Sequence, residues 1–118
     1  MLAKKSKYRN IKVELDGYKF DSKKEAKRYA DLKLEMRAGT ITNLELQPKF
    51  RFEINGRRLR EKRHRAKQIT YTADFRYMRD GVEIVEDVKS AATLKTNLFK
   101  VKKALYETIY DKKLTIYI

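Results

Sequence analysis

Two aspartates and a lysine are the residues of this chain whose types and spacing point most directly to chemistry. Asp80-Gly81 has the composition of a two-residue hairpin turn between the strand-like segments 68–79 and 82–89. In such a hairpin Arg79 faces Val82, so opposed residues have numbers adding to 161, and Asp74 faces Asp87. By the alternation of pair types this is a non-hydrogen-bonded pair, the closer kind, with Cβ atoms about 4.5–5.5 Å apart. Lys89 lies two residues beyond Asp87 on the same face, while Phe75, Tyr77, Ile84 and Val88 point to the other. Like charges opposed across a sheet are destabilising unless a cation sits between them. Mg²⁺ takes one or two carboxylates, completing its shell with waters and phosphate oxygens. A lysine beside it orients a water and offsets charge on a pentacovalent phosphate. The set therefore has the parts for metal-assisted phosphodiester hydrolysis. The plainer alternative is an exposed polar sheet face on which Lys89 neutralises both acids. Glu86 falls on the Phe75 face, where only an edge position accommodates it.

A third acid is Glu25, which has two readings. Ser22-x-x-Glu25 matches a capping box opening a helix that Gly39 stops. Tyr29, Leu32 and Met36 follow Glu25 at i+4, i+7 and i+11, which places it on the packed stripe, pointing toward the same acidic cluster.

The remaining elements must hold these groups in place. Ile11, Val13 and Leu15 alternate with polar residues, and Asp16-Gly17 turns the chain back through Tyr18 and Phe20, which predicts an N-terminal β-hairpin with Leu15 facing Tyr18 and Val13 facing Phe20. After the first helix, a strand region over 44–54 is interrupted by Pro48 and followed by an Asn55-Gly56 turn. Thr96 caps a second helix with Leu98, Val101, Leu105 and Ile109 on one stripe, and 114–118 reads as a closing strand. The order after the hairpin is αβββαβ, an α/β (α+β) fold in a single domain over 1–118.

Composition narrows the partner. The chain has 118 residues, 30 Lys plus Arg against 16 Asp plus Glu, and a net charge of +14. Such an excess predicts a polyanion, most often nucleic acid, with an anionic membrane surface as the other candidate. Nine basic residues lie between Lys49 and Lys67 against Glu53 and Glu61, a net +7 that is half the charge of the chain. Arg57, Arg58, Arg60, Lys62, Arg63, Arg65 and Lys67 are the expected backbone contacts, against the simpler reading of a solvated loop. With no Cys and one His, thiol nucleophiles, disulfides and soft-ligand zinc sites are excluded, and any metal is a hard, oxygen-liganded ion. No run approaches the ~18 apolar residues of a membrane span, and no signal peptide opens the sequence, so the expectation is an intracellular, cytoplasmic protein.

Taken together, Asp74, then Asp87-Val88-Lys89, a helical Glu25 before them and the αβββαβ order resemble the PD-(D/E)XK nuclease superfamily, in particular its small phage-encoded members. The segments 20–26, 46–48, 69–75 and 85–89, with Thr96, Phe99 and Lys102, look like that group's blocks; Ala73 stands where the superfamily name has Pro. The resemblance implies a restriction-endonuclease-like central mixed sheet flanked by helices and a Mg²⁺-dependent endodeoxyribonuclease, Mn²⁺ serving as an alternative ion. It implies Asp74, Asp87, Glu25 and the Val88 backbone carbonyl at the metal, Lys89 as the water-orienting group, and Thr96 and Lys102 on DNA. Branched DNA, as cut by Holliday junction resolvases, is among the implied substrates, a homodimer among the implied assemblies, and the host cytoplasm the location of a phage-encoded enzyme. The competing function is a non-catalytic basic protein that binds nucleic acid or a partner on a nuclease scaffold; a ribosome-associated protein explains the charge but not the paired aspartates.

Overall fold

The computed structural model describes residues 12–61 and 67–118. β1 (Val13–Leu15) and β2 (Tyr18–Phe20) pair antiparallel with Val13 opposite Phe20 and Leu15 opposite Tyr18. Asp16 and Gly17 both take positive φ, 53° and 80°, as the tight primed turn requires. Of the hairpin's apolar face only Phe20 is buried. It docks on α1 (Lys23–Arg37), whose N-cap Ser22 accepts the Glu25 N–H at 3.1 Å. Ala26, Tyr29 and Leu32 are buried beneath α1. Met36, expected on the same stripe, is exposed: with Leu34 and Arg37 it belongs to a last turn that runs past the core.

The central sheet holds, from one edge to the other, the strands Thr115–Tyr117, Val82–Val88, Phe75–Arg79 and Ile41–Leu46. β3 (Ile41–Leu46) and β8 (Phe75–Arg79) pair antiparallel, as do β8 and β9 (Val82–Val88); β10 (Thr115–Tyr117) runs parallel to β9. A crossover of helices joins β9 to β10, so the protein is an α/β (α+β) fold with a mixed sheet, the αβββαβ order and an added N-terminal hairpin. The β8–β9 register pairs Arg79 with Val82 and Phe75 with Glu86, as the Asp80-Gly81 turn dictates.

Two expected strands are broken, and the breaks meet. The region expected as a strand over 44–54 starts at Ile41 and divides into β3, β4 (Lys49–Arg51) and β5 (Glu53–Ile54), with β6 (Arg57–Arg58) returning from the Asn55-Gly56 turn. The region expected over 68–79 divides into β7 (Thr70–Thr72) and β8. The first break falls where Gln47 adopts φ +52° and Pro48 lacks an N–H. The Gln47 N–H donates to the Asp74 carbonyl at 2.9 Å and the Ala73 N–H to the Pro48 carbonyl at 3.1 Å, so the chain bends at 47–48 and 73–74 in concert. β4 and β7 leave the central sheet as their own ribbon, prolonged by the Arg60–Gln68 bridge into the basic segment.

Two aromatic-rich clusters fill the faces of the sheet. Phe20, Tyr29, Leu32, Ile41, Phe75 and Tyr77 pack on the α1 side. Phe50, Phe52, Tyr71, Val85, Phe99 and Tyr106 pack under α3 (Asn97–Tyr110), which follows the short α2 (Ala91–Leu94), an element the sequence pattern does not announce. On α3 the aromatics take the core. Phe99 and Tyr106 are buried, whereas Leu98 and Val101 of the expected stripe are 69% and 56% exposed and Leu105 and Ile109 sit at the margin. The helix is rotated from the aliphatic reading because the large rings bury more surface, and Tyr106 packs edge-on to Phe50 at 4.8 Å and stacks near Tyr110 at 5.4 Å. Among the described residues no helix is long and apolar enough to cross a membrane.

Candidate functional site

The bend at 73–74 delivers Asp74 to the end of β9. Asp74 lies just before β8, so the laddered pairing stops one step short of the expected Asp74–Asp87 pair; the Asp74 N–H donates instead to the Glu86 carbonyl at 3.2 Å. The side chains nevertheless converge. Asp74 Oδ2 accepts the Val88 N–H at 2.7 Å, and its carboxyl lies within hydrogen-bonding reach of Asp87. Since the N–H and C=O of a strand residue project to the same edge, the Val88 carbonyl is directed to the Asp74 side as well.

Asp87 is fully buried. Its Oδ2 accepts a short hydrogen bond from the Tyr71 hydroxyl and lies 3.5 Å from Lys89 Nζ. Its Oδ1 is buried with no hydrogen-bond partner among the described residues. Lys89 keeps a quarter of its side chain exposed, and its ammonium rests 5.3 Å from the centre of the Phe99 ring. Glu25, 7% exposed, reaches the cluster from α1 and meets Asp74 rather than Asp87. A cleft of about 340 Å³ opens here, lined by Glu25, Asp74, Val88 and Lys89 together with Asp21, Ser22, Lys24, Ser90 and Thr93.

The crowding of acids is felt in their protonation. Burial first, then the Asp87 carboxyl and the Glu25 charge, push the Asp74 pKa up to about 9, against the opposing pull of the Val88 N–H. Glu25 is raised by burial and by the charge of Asp21. Burial and Asp87 also raise Tyr71, which keeps it a hydrogen-bond donor. Asp74 therefore keeps its proton at neutral pH, which relieves its repulsion with Asp87.

Among the described residues no three acid or histidine side chains close on one point. The oxygens available beside Asp74 are its own carboxyl, the Oδ1 of Asp87, unpartnered among the described residues, and the Val88 carbonyl, directed to the same edge as its N–H. Three oxygens with space for waters suit a hard octahedral ion such as Mg²⁺, and the orphaned buried oxygen is the atom such an ion satisfies.

The other expected site residues are dispersed. Arg57, Arg58, Arg60 and Lys67 are exposed on the ribbon, while Lys62, Arg63 and Arg65 lie outside the described residues. Thr96 is the N-cap of α3, its hydroxyl donating to the Thr93 carbonyl at 2.8 Å and accepting the Phe99 N–H at 3.4 Å. Lys102 is half-buried on the same helix.

Two participants escape the sequence pattern. Tyr71 is one; no spacing rule ties a strand tyrosine to an acid sixteen residues away. Glu86 is the other, and the expected edge position is wrong. It is 1% exposed, bidentate with Arg28 at 2.8 Å, and accepts the Tyr77 hydroxyl at 2.7 Å. Arg28 also lies over the Tyr117 ring at 4.3 Å, so this network clasps α1 to the sheet one residue from Asp87.

A family model described as "Protein of unknown function (DUF1064)" matches residues 5–118, and the chain belongs to that family. No curated protein matches the chain. No solved structure matches it either.

Proposed function

We propose that this DUF1064 member is a Mg²⁺-dependent endodeoxyribonuclease, with Mn²⁺ as a substitute ion, acting on branched or otherwise structured DNA. The observation that carries the reading is the facing of Asp74 and Asp87 with a buried carboxylate oxygen, Asp87 Oδ1, left without a partner among the described residues of a chain of net charge +14. Asp74, Asp87 Oδ1 and the Val88 carbonyl would hold the ion, and Glu25, touching Asp74, would act through a water. When bound, the ion supplies Lewis-acid polarisation of a phosphoryl oxygen and of the attacking water. Lys89 projects its ammonium into the same cleft, where it orients a water for in-line attack and offsets charge on the phosphate; the Phe99 ring and Asp87 restrict where it can point. Arg57, Arg58, Arg60 and Lys67, with Lys62, Arg63, Arg65, Thr96 and Lys102, would follow the DNA backbone without reading bases. The protein would work in the cytoplasm, alone or as a homodimer.

One feature favours a non-catalytic nucleic-acid- or partner-binding protein: Asp74 keeps its proton in the crowded site, and among the described residues no three acid or histidine side chains close on one point. A single comparison separates the readings. Parent and Asp87→Asn are incubated with plasmid, flap and four-way-junction DNA in Mg²⁺, and binding is measured alongside cleavage. The nuclease cuts at least one substrate, and the variant is at least about a hundredfold slower with unchanged binding. A parent inert on every substrate, or a variant that cuts equally well, contradicts the nuclease.

A further inference from the structure

We infer that Tyr71 positions Asp87 for the ion: by donating to Oδ2 it engages one carboxylate oxygen and leaves Oδ1 as the oxygen open to the ion, so that Asp87 would bind through a single oxygen. This rests on the ion site proposed above. A carboxylate has two equivalent oxygens and a soft terminal torsion, so nothing in Asp87 itself decides which oxygen meets the ion, or whether both do. The surroundings decide it. Oδ2 has the Tyr71 hydroxyl and, at 3.5 Å, Lys89 Nζ; Oδ1 has no partner among the described residues.

Tyr71 is held well enough to fix an oxygen. It is 4% exposed, its ring lies 6.4 Å from Phe50 and 5.9 Å from Tyr106, and its strand pairs with β4 on both sides of it. Lys89 cannot substitute, because it is longer, partly exposed and farther from the oxygen. Tyr71 also comes from the ribbon rather than the central sheet. Loss of its hydroxyl would free Asp87 to rotate, to pair with Lys89 or to chelate with both oxygens, and either change alters the ion's shell. Groups that orient a ligand in this way typically contribute about 10- to 100-fold in metal affinity.

The test titrates Mn²⁺ into the full chain, following free Mn²⁺ by electron paramagnetic resonance, for the parent, Tyr71→Phe and Asp87→Asn. Tyr71→Phe is expected to bind about 10- to 100-fold more weakly and Asp87→Asn more weakly still. Cleavage by Tyr71→Phe should return toward the parental kcat as Mg²⁺ is raised, since the ligand itself remains. Equal Mn²⁺ affinity in the parent and Tyr71→Phe overturns the inference and leaves the ion site standing. A parent that binds no Mn²⁺ overturns both. Should Tyr71→Phe not fold, the infrared carboxylate bands of the parent decide: a shift to one-oxygen coordination on adding Mg²⁺ supports the role, and a two-oxygen pattern sinks it.

Discussion

Asp74→Asn should make the metal-free protein more stable while abolishing ion binding. In the unfolded chain Asp74 loses its proton near 3.8, whereas the folded protein holds it up to about 9. Between those values the folded state binds a proton that the unfolded state has released. Stability from this group is thus complete below pH 3.8 and declines as pH rises, by about 1.4 kcal/mol per pH unit, until the folded carboxyl also ionises. At pH 7 the loss reaches about 4 kcal/mol, and water entering the open cleft reduces it to about 2–4 kcal/mol. Asparagine removes that titration. Its oxygen still accepts the Val88 N–H, and its amide keeps the donor toward Asp87 that the protonated Asp74 carboxyl supplies. Urea and thermal unfolding in a chelator at pH 4, 6 and 8 measure the difference. The variant should match the parent at pH 4 and gain about 3–5 kcal/mol, roughly 15 °C in Tm, at pH 8. A variant less stable than the parent at pH 8, or a gain that does not grow with pH, refutes the crowded-acid picture.

Three further outcomes follow from the geometry. Arg28→Met leaves Glu86 buried without its bidentate partner and should cost about 3–5 kcal/mol in chemical denaturation, far more than any exposed ion pair in the chain. Lys89→Met should slow cleavage at least about tenfold while Mn²⁺ affinity stays the same or rises, because the ammonium beside Asp87 assists the reaction and opposes the ion; an unchanged rate excludes its role. Replacing Arg57, Arg58 and Arg60 by Ala should weaken DNA binding about equally across sequences and lower the steepness of its salt dependence, read by fluorescence anisotropy, without changing single-turnover cleavage of saturated DNA.

What the sequence made legible was local. Asp80-Gly81 and Asp16-Gly17 state their registers because a two-residue turn admits few geometries, and Ser22 and Thr96 mark helix starts because a hydroxyl must meet an orphan N–H. That was enough to bring Asp74 close to Asp87. The parts that stayed hidden depend on distant partners. Glu86 is tolerated inside because Arg28, fifty-eight residues earlier, faces it from α1. The bend that turns Asp74 out of the ladder is built by 47–48 and 73–74 together, so neither segment shows it alone. On α3, i, i+3, i+7 spacing selected Leu98 and Val101, but ring packing among Phe50, Tyr71 and Tyr106 set the helix's rotation.

The most direct measurement of the central claim is anomalous diffraction from crystals grown with Mn²⁺ and DNA. An ion between Asp74 and Asp87 predicts a peak bonded to Asp74, Asp87 Oδ1 and the Val88 carbonyl, with Tyr71 still on Oδ2. Crystals with ordered DNA over the cleft and no peak there would contradict it.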